Sequence, residues 1–210
     1  MDSRDRTLLV IGWAAALRKS ELVNLDVEHV IFTRDGLVLD LLRSKTDQKA
    51  EGQQVAFPYG SNPKTCPVRL LENWLSASGI TNGPIFRRMD RHGNIMGRLT
   101  DQSARLIVKK HCENVGLDPK RYGAHSLRSG FCSTAAKADK AKHQIMKQRG
   151  TSDPIPCSVI SKRSICLMIM QRVGLDYKTH GLPFEQQMRI RTIKIRLLDV
   201  NQGILLIDYK

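Results

Sequence analysis

The 210-residue sequence contains no Cys-x-x-Cys pair. Its cysteines, Cys66, Cys112, Cys132, Cys157 and Cys166, are odd in number and scattered. That pattern excludes a disulfide framework and a zinc site, and reads as reduced thiols of a cytoplasmic protein. No apolar run approaches the ~20 residues that a bilayer span needs. The opening residues Met1-Asp2-Ser3-Arg4-Asp5-Arg6 lack a signal-peptide pattern. There is no Gly-x-x-x-x-Gly-Lys nucleotide loop and no cluster of metal ligands, so neither ATP, a metal nor another cofactor is expected. Internal repeats and low-complexity segments are also missing.

What is present is a globular composition with an excess of positive charge. Hydrophobic residues make up 41% and charged residues 26%, enough for one domain with a sizeable core. The net charge is +14. Residues 1–150 hold 25 Lys+Arg against 15 Asp+Glu, so the excess is not confined to a tail. A basic globular domain suits a polyanionic partner, most often nucleic acid.

Asp2 or Ser3 is placed to cap a first helix containing Leu8, Leu9, Ile11 and Trp13. Arg18 follows, and Ser20-Glu21 suits the start of a second short helix with Leu22, Val23 and Leu25. From Val27 the period changes. Val30-Ile31-Phe32-Thr33 and Leu37-Val38-Leu39-Asp40-Leu41-Leu42 read as a hairpin around an Asp-Gly turn. Gln54-Val55-Ala56-Phe57-Pro58 reads as a third strand, with Lys45 at the tip between strands two and three. Cys66-Pro67 opens a helix, with proline at its first position, that stops near Gly79. Arg87, Arg88, Arg91 and Arg98 form a basic loop region suited to phosphate contact. Thr100 or Asp101 caps a helix whose apolar residues are Ala104, Leu106, Ile107, Val108 and Cys112. Another helix is expected from Ser126 and a further short one over residues 141–149.

One stretch organises this chain: Ala124-His125-Ser126-Leu127-Arg128-Ser129-Gly130. On a helix, His125 and Arg128 share a face. An imidazole and a guanidinium together suit a phosphate: the arginine offers a fork of donors, the histidine a donor or proton relay. Two other stretches accompany it, Ala15-Ala16-Leu17-Arg18-Lys19-Ser20-Glu21-Leu22 and Arg43-Ser44-Lys45-Thr46-Asp47. Arginine, then a hairpin lysine, then His-x-x-Arg, in this order and spacing, closely resembles the catalytic domain of the tyrosine recombinases, the phage integrase family. The resemblance runs from about residue 4 to residue 150.

The resemblance implies a mainly α fold with a small antiparallel β-sheet, and an enzyme of DNA integration or excision. In that family a tyrosine oxygen attacks the scissile phosphate, giving a 3′-phosphotyrosyl link and a free 5′-hydroxyl. The bond energy is kept in the link, so no cofactor is needed. Carried over by motif, the phosphate-stabilising roles fall on Arg18, His125 and Arg128. Lys45 becomes the general acid for the leaving oxygen. Duplex DNA is the implied partner and the nucleoid the implied location. Intact family members assemble as a tetramer on DNA.

The pattern breaks after Gly150. Thr151 stands where the family has histidine or tryptophan, and Ile160 where it has the nucleophilic tyrosine. Tyr177 and Tyr209 come too late. Back-translation read two bases on allows a tyrosine across residues 159–161 and a family-like tail across 167–172, which suggests a frame shift. The expected organisation is therefore a catalytic domain over 1–150 lacking its last segment, and a divergent, out-of-frame tail over 151–210. Family members usually carry a helical DNA-binding domain ahead of the catalytic one, so the chain reads as an integrase fragment, expected to be catalytically dead. Its rivals are a non-catalytic DNA-binding remnant and a helix-turn-helix regulator. The latter does not explain Arg18, Lys45, His125 and Arg128 in that order.

Overall fold

Helix α1 (Ser3–Ala14) lies at the centre of the core. Leu8, Leu9, Val10 and Ile11 are consecutive and all buried, so α1 has no polar stripe from Leu8 onward; a helical segment apolar on every side is one surrounded by others. It packs on α2 (Lys19–Val23), α3 (Pro67–Ser78) and α5 (His125–Lys137). The computed structural model describes residues 2–41 and 53–137. Lys45, Thr151 and Ile160, and the segments 141–149 and 151–210, lie outside them.

Local signals set the other helices. Pro67 occupies the first turn of α3 and Gly79 closes it in a left-handed conformation, φ 65°. Val68, Leu70, Leu71 and Trp74 form its buried side. Trp74 Nε1 donates to the Ile85 carbonyl at 2.9 Å, so the ring enters the core without an orphaned N–H. In α4 (Asp101–Asn114) the Thr100 hydroxyl accepts from the Ser103 N–H at 3.1 Å. Helix α5 begins at His125, one residue before the position read from the sequence. Leu106, one of the apolar residues of α4, is 55% exposed, because the buried side is Ala104, Ile107, Val108, His111 and Cys112.

The sheet is a meander of β1 (Val30–Thr33), β2 (Gly36–Leu41) and β3 (Gln53–Pro58), all antiparallel. Leu37, Leu39, Leu41, Val55 and Phe57 point into the core. Since side chains alternate, a one-residue slip would turn this set outward. Thr33 pairs with Gly36, so the loop is Arg34-Asp35 and Gly36 already belongs to the strand, a correction to the Asp-Gly turn. The glycine is needed there because a Cβ would meet the Phe57 carbonyl oxygen at 1.9 Å.

The basic stretch after α3 is also more ordered than a loop. β4 (Arg87–Met89) and β5 (Ile95–Arg98) form a second hairpin. Asp90 stabilises its turn by accepting from the N–H groups of His92 and Asn94. No helix among the described residues is long and apolar enough to cross a membrane.

Candidate functional site

Helix α1 ends in a tight reversal. The Ala16 N–H bonds to the Trp13 carbonyl (3.0 Å) and the Leu17 N–H to the Gly12 carbonyl (3.2 Å). These are the two bonds of a Schellman motif, with Ala16 at its left-handed position, φ 51°. The reversal sends Leu17 into the core, 2% exposed, and delivers Arg18 as the N-cap of α2.

Arg18 is held in place by Glu21. The Glu21 Oε2 accepts from the Arg18 backbone N–H at 2.7 Å, while Oε1 meets the Arg18 Nη1 at 2.6 Å. One carboxylate thus closes the first turn of α2 and orients a guanidinium that is about a third exposed. The sequence reading assigned Glu21 only a helix-start role. Its Arg-x-x-Glu spacing was the available signal, since position three of a helix reaches back to the N-cap.

Arg128 comes to the same reversal from 112 residues further along the chain. It is 3% exposed, and its Nη1 donates to the Ala16 carbonyl at 2.5 Å. Close approach of α5 to α1 makes this reach possible. A Cβ at Gly12 would stand 2.9 Å from Leu127 Cδ1 and 2.9 Å from Leu22 Cδ2. One glycine therefore lets α2 and α5 both close onto α1. Next to it, Trp13 and Phe131 meet edge to face, with ring centroids 5.9 Å apart. His125 is exposed at the first position of α5, one turn before Arg128. The structure thus brings the α5 arginine against the turn that carries Arg18, with His125 at the head of the same helix. Lys45 lies in the connection from Leu41 to Gln53, outside the described residues.

Of the four arginines read as a phosphate-contacting region, two hold the fold. Arg87 donates to the carbonyls of Pro84 (3.0 Å) and Asn82 (2.7 Å). Arg98 donates to the Val23 carbonyl (3.0 Å) and pairs with Asp26 at 2.7 Å. Arg88 and Arg91 are exposed on the hairpin.

A further charged cluster went unread in the sequence. Asp5 is 2% exposed and accepts from His111 Nε2 (2.9 Å) and from Arg4 Nε and Nη2 (3.0 and 2.7 Å). Beside it an open groove of about 400 Å³ runs between α1 and α4, with Arg4, Lys109 and Lys110 among its lining residues. Asp5 is eleven residues from Ala16, so this cluster sits roughly 16 Å along α1 from the arginines. Among the described residues no group of His, Cys, Asp and Glu is placed to hold a metal ion.

The chain is similar to an integrase/recombinase XerD homolog of Selenomonas ruminantium, 41% identical over 146 residues, 69% of this chain and 43% of that protein. It is 29% identical over 154 residues to the tyrosine recombinase XerC of Pseudomonas entomophila, 71% of this chain and 45% of that one. The chain thus spans less than half the length of these curated relatives. Its fold is similar to that of the XerH site-specific recombinase in a pre-cleavage complex with its difH substrate. The TM-score is 0.56 at 18% identity, covering 72% of this chain and 40% of that one. The post-cleavage complex on palindromic difH gives 0.55 at 16%, covering 80% and 42%. Residues 1–154 match the phage integrase family, and by that match the chain belongs to it.

Proposed function

We propose that this chain is the catalytic part of a tyrosine recombinase, acting on duplex DNA in site-specific integration or excision. The observation that carries the reading is the bond from Arg128 to the Ala16 carbonyl, which ties the helix of the second arginine to the turn of the first. In this reading Arg18, Arg128 and His125 offer fixed donors to the scissile phosphate, where negative charge builds as phosphorus becomes five-coordinate. Lys45 supplies the proton to the leaving 5′-oxygen. The net charge of +14 adds attraction to the phosphate backbone. Assembly as a tetramer on DNA, and a place in the cytoplasm at the nucleoid, belong to the same reading.

The nucleophile is the missing part. Ile160 occupies the tyrosine position and Thr151 the histidine or tryptophan position. An aliphatic side chain has no oxygen to place in line with the leaving group. Residues 1–150 are read as the catalytic domain without its last segment, and 151–210 as an out-of-frame tail. The test is a nicked suicide DNA substrate carrying the core site, with covalent adducts resolved on a denaturing gel. The chain itself should form none. Restoring the frame from codon 151 should produce a tyrosine-linked adduct. An adduct from the unrepaired chain at Tyr177 would sink the frame-shift reading.

Ile160 also favours a second reading, a non-catalytic DNA-binding remnant that occupies recombination sites. A frame-restored chain that binds the core site and still forms no adduct would favour it.

A further inference from the structure

Ala16 is the only non-glycine with positive φ among the described residues. A left-handed alanine places its Cβ close to the following carbonyl, a cost that glycine avoids. Ending α1 does not require an alanine here. What sets this turn apart is its acceptor: the Ala16 carbonyl meets Arg128 Nη1 at 2.5 Å, across 112 residues of sequence, with both residues buried. The φ and ψ of a residue fix the direction of its own carbonyl. If Ala16 left the left-handed region, this oxygen would swing away from α5.

A guanidinium is planar, with its N–H donors in a fixed fork. Anchoring one nitrogen restricts the plane, and with it the directions in which the other donors point. We infer that Ala16 is a positioning residue: its left-handed backbone aims the carbonyl that holds the Arg128 guanidinium in its phosphate-facing orientation. This rests on the proposed reading that Arg128 meets a DNA phosphate. Arg18 follows the same reversal but has separate holds: Glu21 within α2, and the core burial of Leu17 and Leu22 on either side of it. Disturbing Ala16 therefore removes one phosphate contact and not two.

The salt dependence of DNA binding tests this, because it counts contacts. Each phosphate neutralised contributes about 0.9 to the slope of log affinity against log salt. A variant that merely folds less well loses active protein and leaves the slope unchanged. The measurement is fluorescence anisotropy of a fluorescein-labelled duplex of mixed sequence, titrated with the full chain over a series of KCl concentrations. Circular dichroism melts of each variant run alongside. Ala16→Val is β-branched and excluded from positive φ. It should flatten the slope by about 0.9, and Arg128→Ala should do the same. The double variant should also lose about 0.9 and not about 1.8, since both changes remove one contact. Ala16→Gly keeps the left-handed turn and should keep the unaltered slope. Should the valine variant fail to fold, Ala16→Thr, β-branched and smaller than valine, takes its place with the same expected flattening.

A folded Ala16→Val with the unaltered slope overturns the inference, as do additive losses in the double variant. An unaltered slope in Arg128→Ala overturns it too, because Arg128 then meets no phosphate. If the unaltered chain shows no salt-dependent binding, the DNA reading itself fails and this inference falls with it.

Discussion

Asp5 and His111 stand 2.9 Å apart, Oδ2 to Nε2, and join the first turn of α1 to the last turn of α4. Both are almost fully buried. Arg4 closes the cluster: it holds the other Asp5 oxygen and donates to the Arg87 carbonyl of β4 at 3.2 Å. Removing the carboxylate leaves buried donors without their acceptor. Asp5→Ala should cost about 3 kcal/mol, read from urea unfolding of the full chain. A loss below about 1 kcal/mol would show that the cluster does not hold these helices together.

The same cluster sets an acid limit. Burial alone would raise the Asp5 pKa, but the hydrogen bonds and charges of His111 and Arg4 outweigh it and hold the carboxyl below its ordinary 3.8. A carboxyl with a depressed folded pKa stabilises the fold above its unfolded value, and that stabilisation fades as pH falls through the folded value. Unfolding free energy should therefore decline below about pH 4, and Asp5→Asn should make that decline shallower. Equal acid slopes for the two proteins would contradict the assignment.

Ala16→Gly should stabilise the chain. Relief of the left-handed strain, about 1–2 kcal/mol, exceeds the glycine entropy cost of about 0.5–1 kcal/mol. The net gain of roughly 0.5–1 kcal/mol is measurable as a higher urea midpoint at unchanged m-value. A lower midpoint would mean that the turn is not left-handed in solution.

Gly12 should tolerate a branched side chain poorly. A Cβ there meets Leu127 and Leu22 at 2.9 Å, and the far side of each is packed core. Gly12→Val should cost about 3 kcal/mol or more by overpacking, and should loosen α5 first. Hydrogen exchange read by mass spectrometry would detect this as lost protection in peptides covering 125–135.

The thiols offer a probe without mutation. Burial pushes the Cys112 thiol up to about 11, and Cys66 and Cys132 are buried as well. At pH 8 Cys112 should not react with iodoacetamide until the chain unfolds, because the thiolate is the reactive form, and burial shields Cys66 and Cys132 from the reagent. Peptide mapping that finds Cys112 alkylated within minutes in the native protein would contradict this.

Much of the fold was legible because its signals are local. Pro67 with Gly79, the Thr100 cap and the alternation of β3 each act within a few residues of what they determine. The order Arg18, Lys45, His125, Arg128 was legible as a pattern, though spacing alone does not bring helix ends together. What the sequence hid was tertiary. His111 looks like a helix-surface residue until Asp5 is placed against it, 106 positions away. The left-handed state of Ala16 has no signature, since alanine ordinarily argues for helix. Gly36 was read as a turn residue because Asp-Gly favours turns; the approach of the Phe57 carbonyl comes from β3, more than 20 residues later.

The bond between Ala16 and Arg128 also sets a schedule for synthesis. Helix α1, apolar from Leu8 onward, leaves the ribosome while its partner α5 is still more than 110 residues away. At roughly 5–20 residues per second, the interval is on the order of 6–20 s. During that time Leu8, Leu9, Val10 and Ile11 have no completed core to enter. A nascent chain with such a helix ahead of its packing partners is a natural client for chaperones that bind short apolar segments at the tunnel exit. Its folding yield should therefore respond to translation speed through residues 15–125.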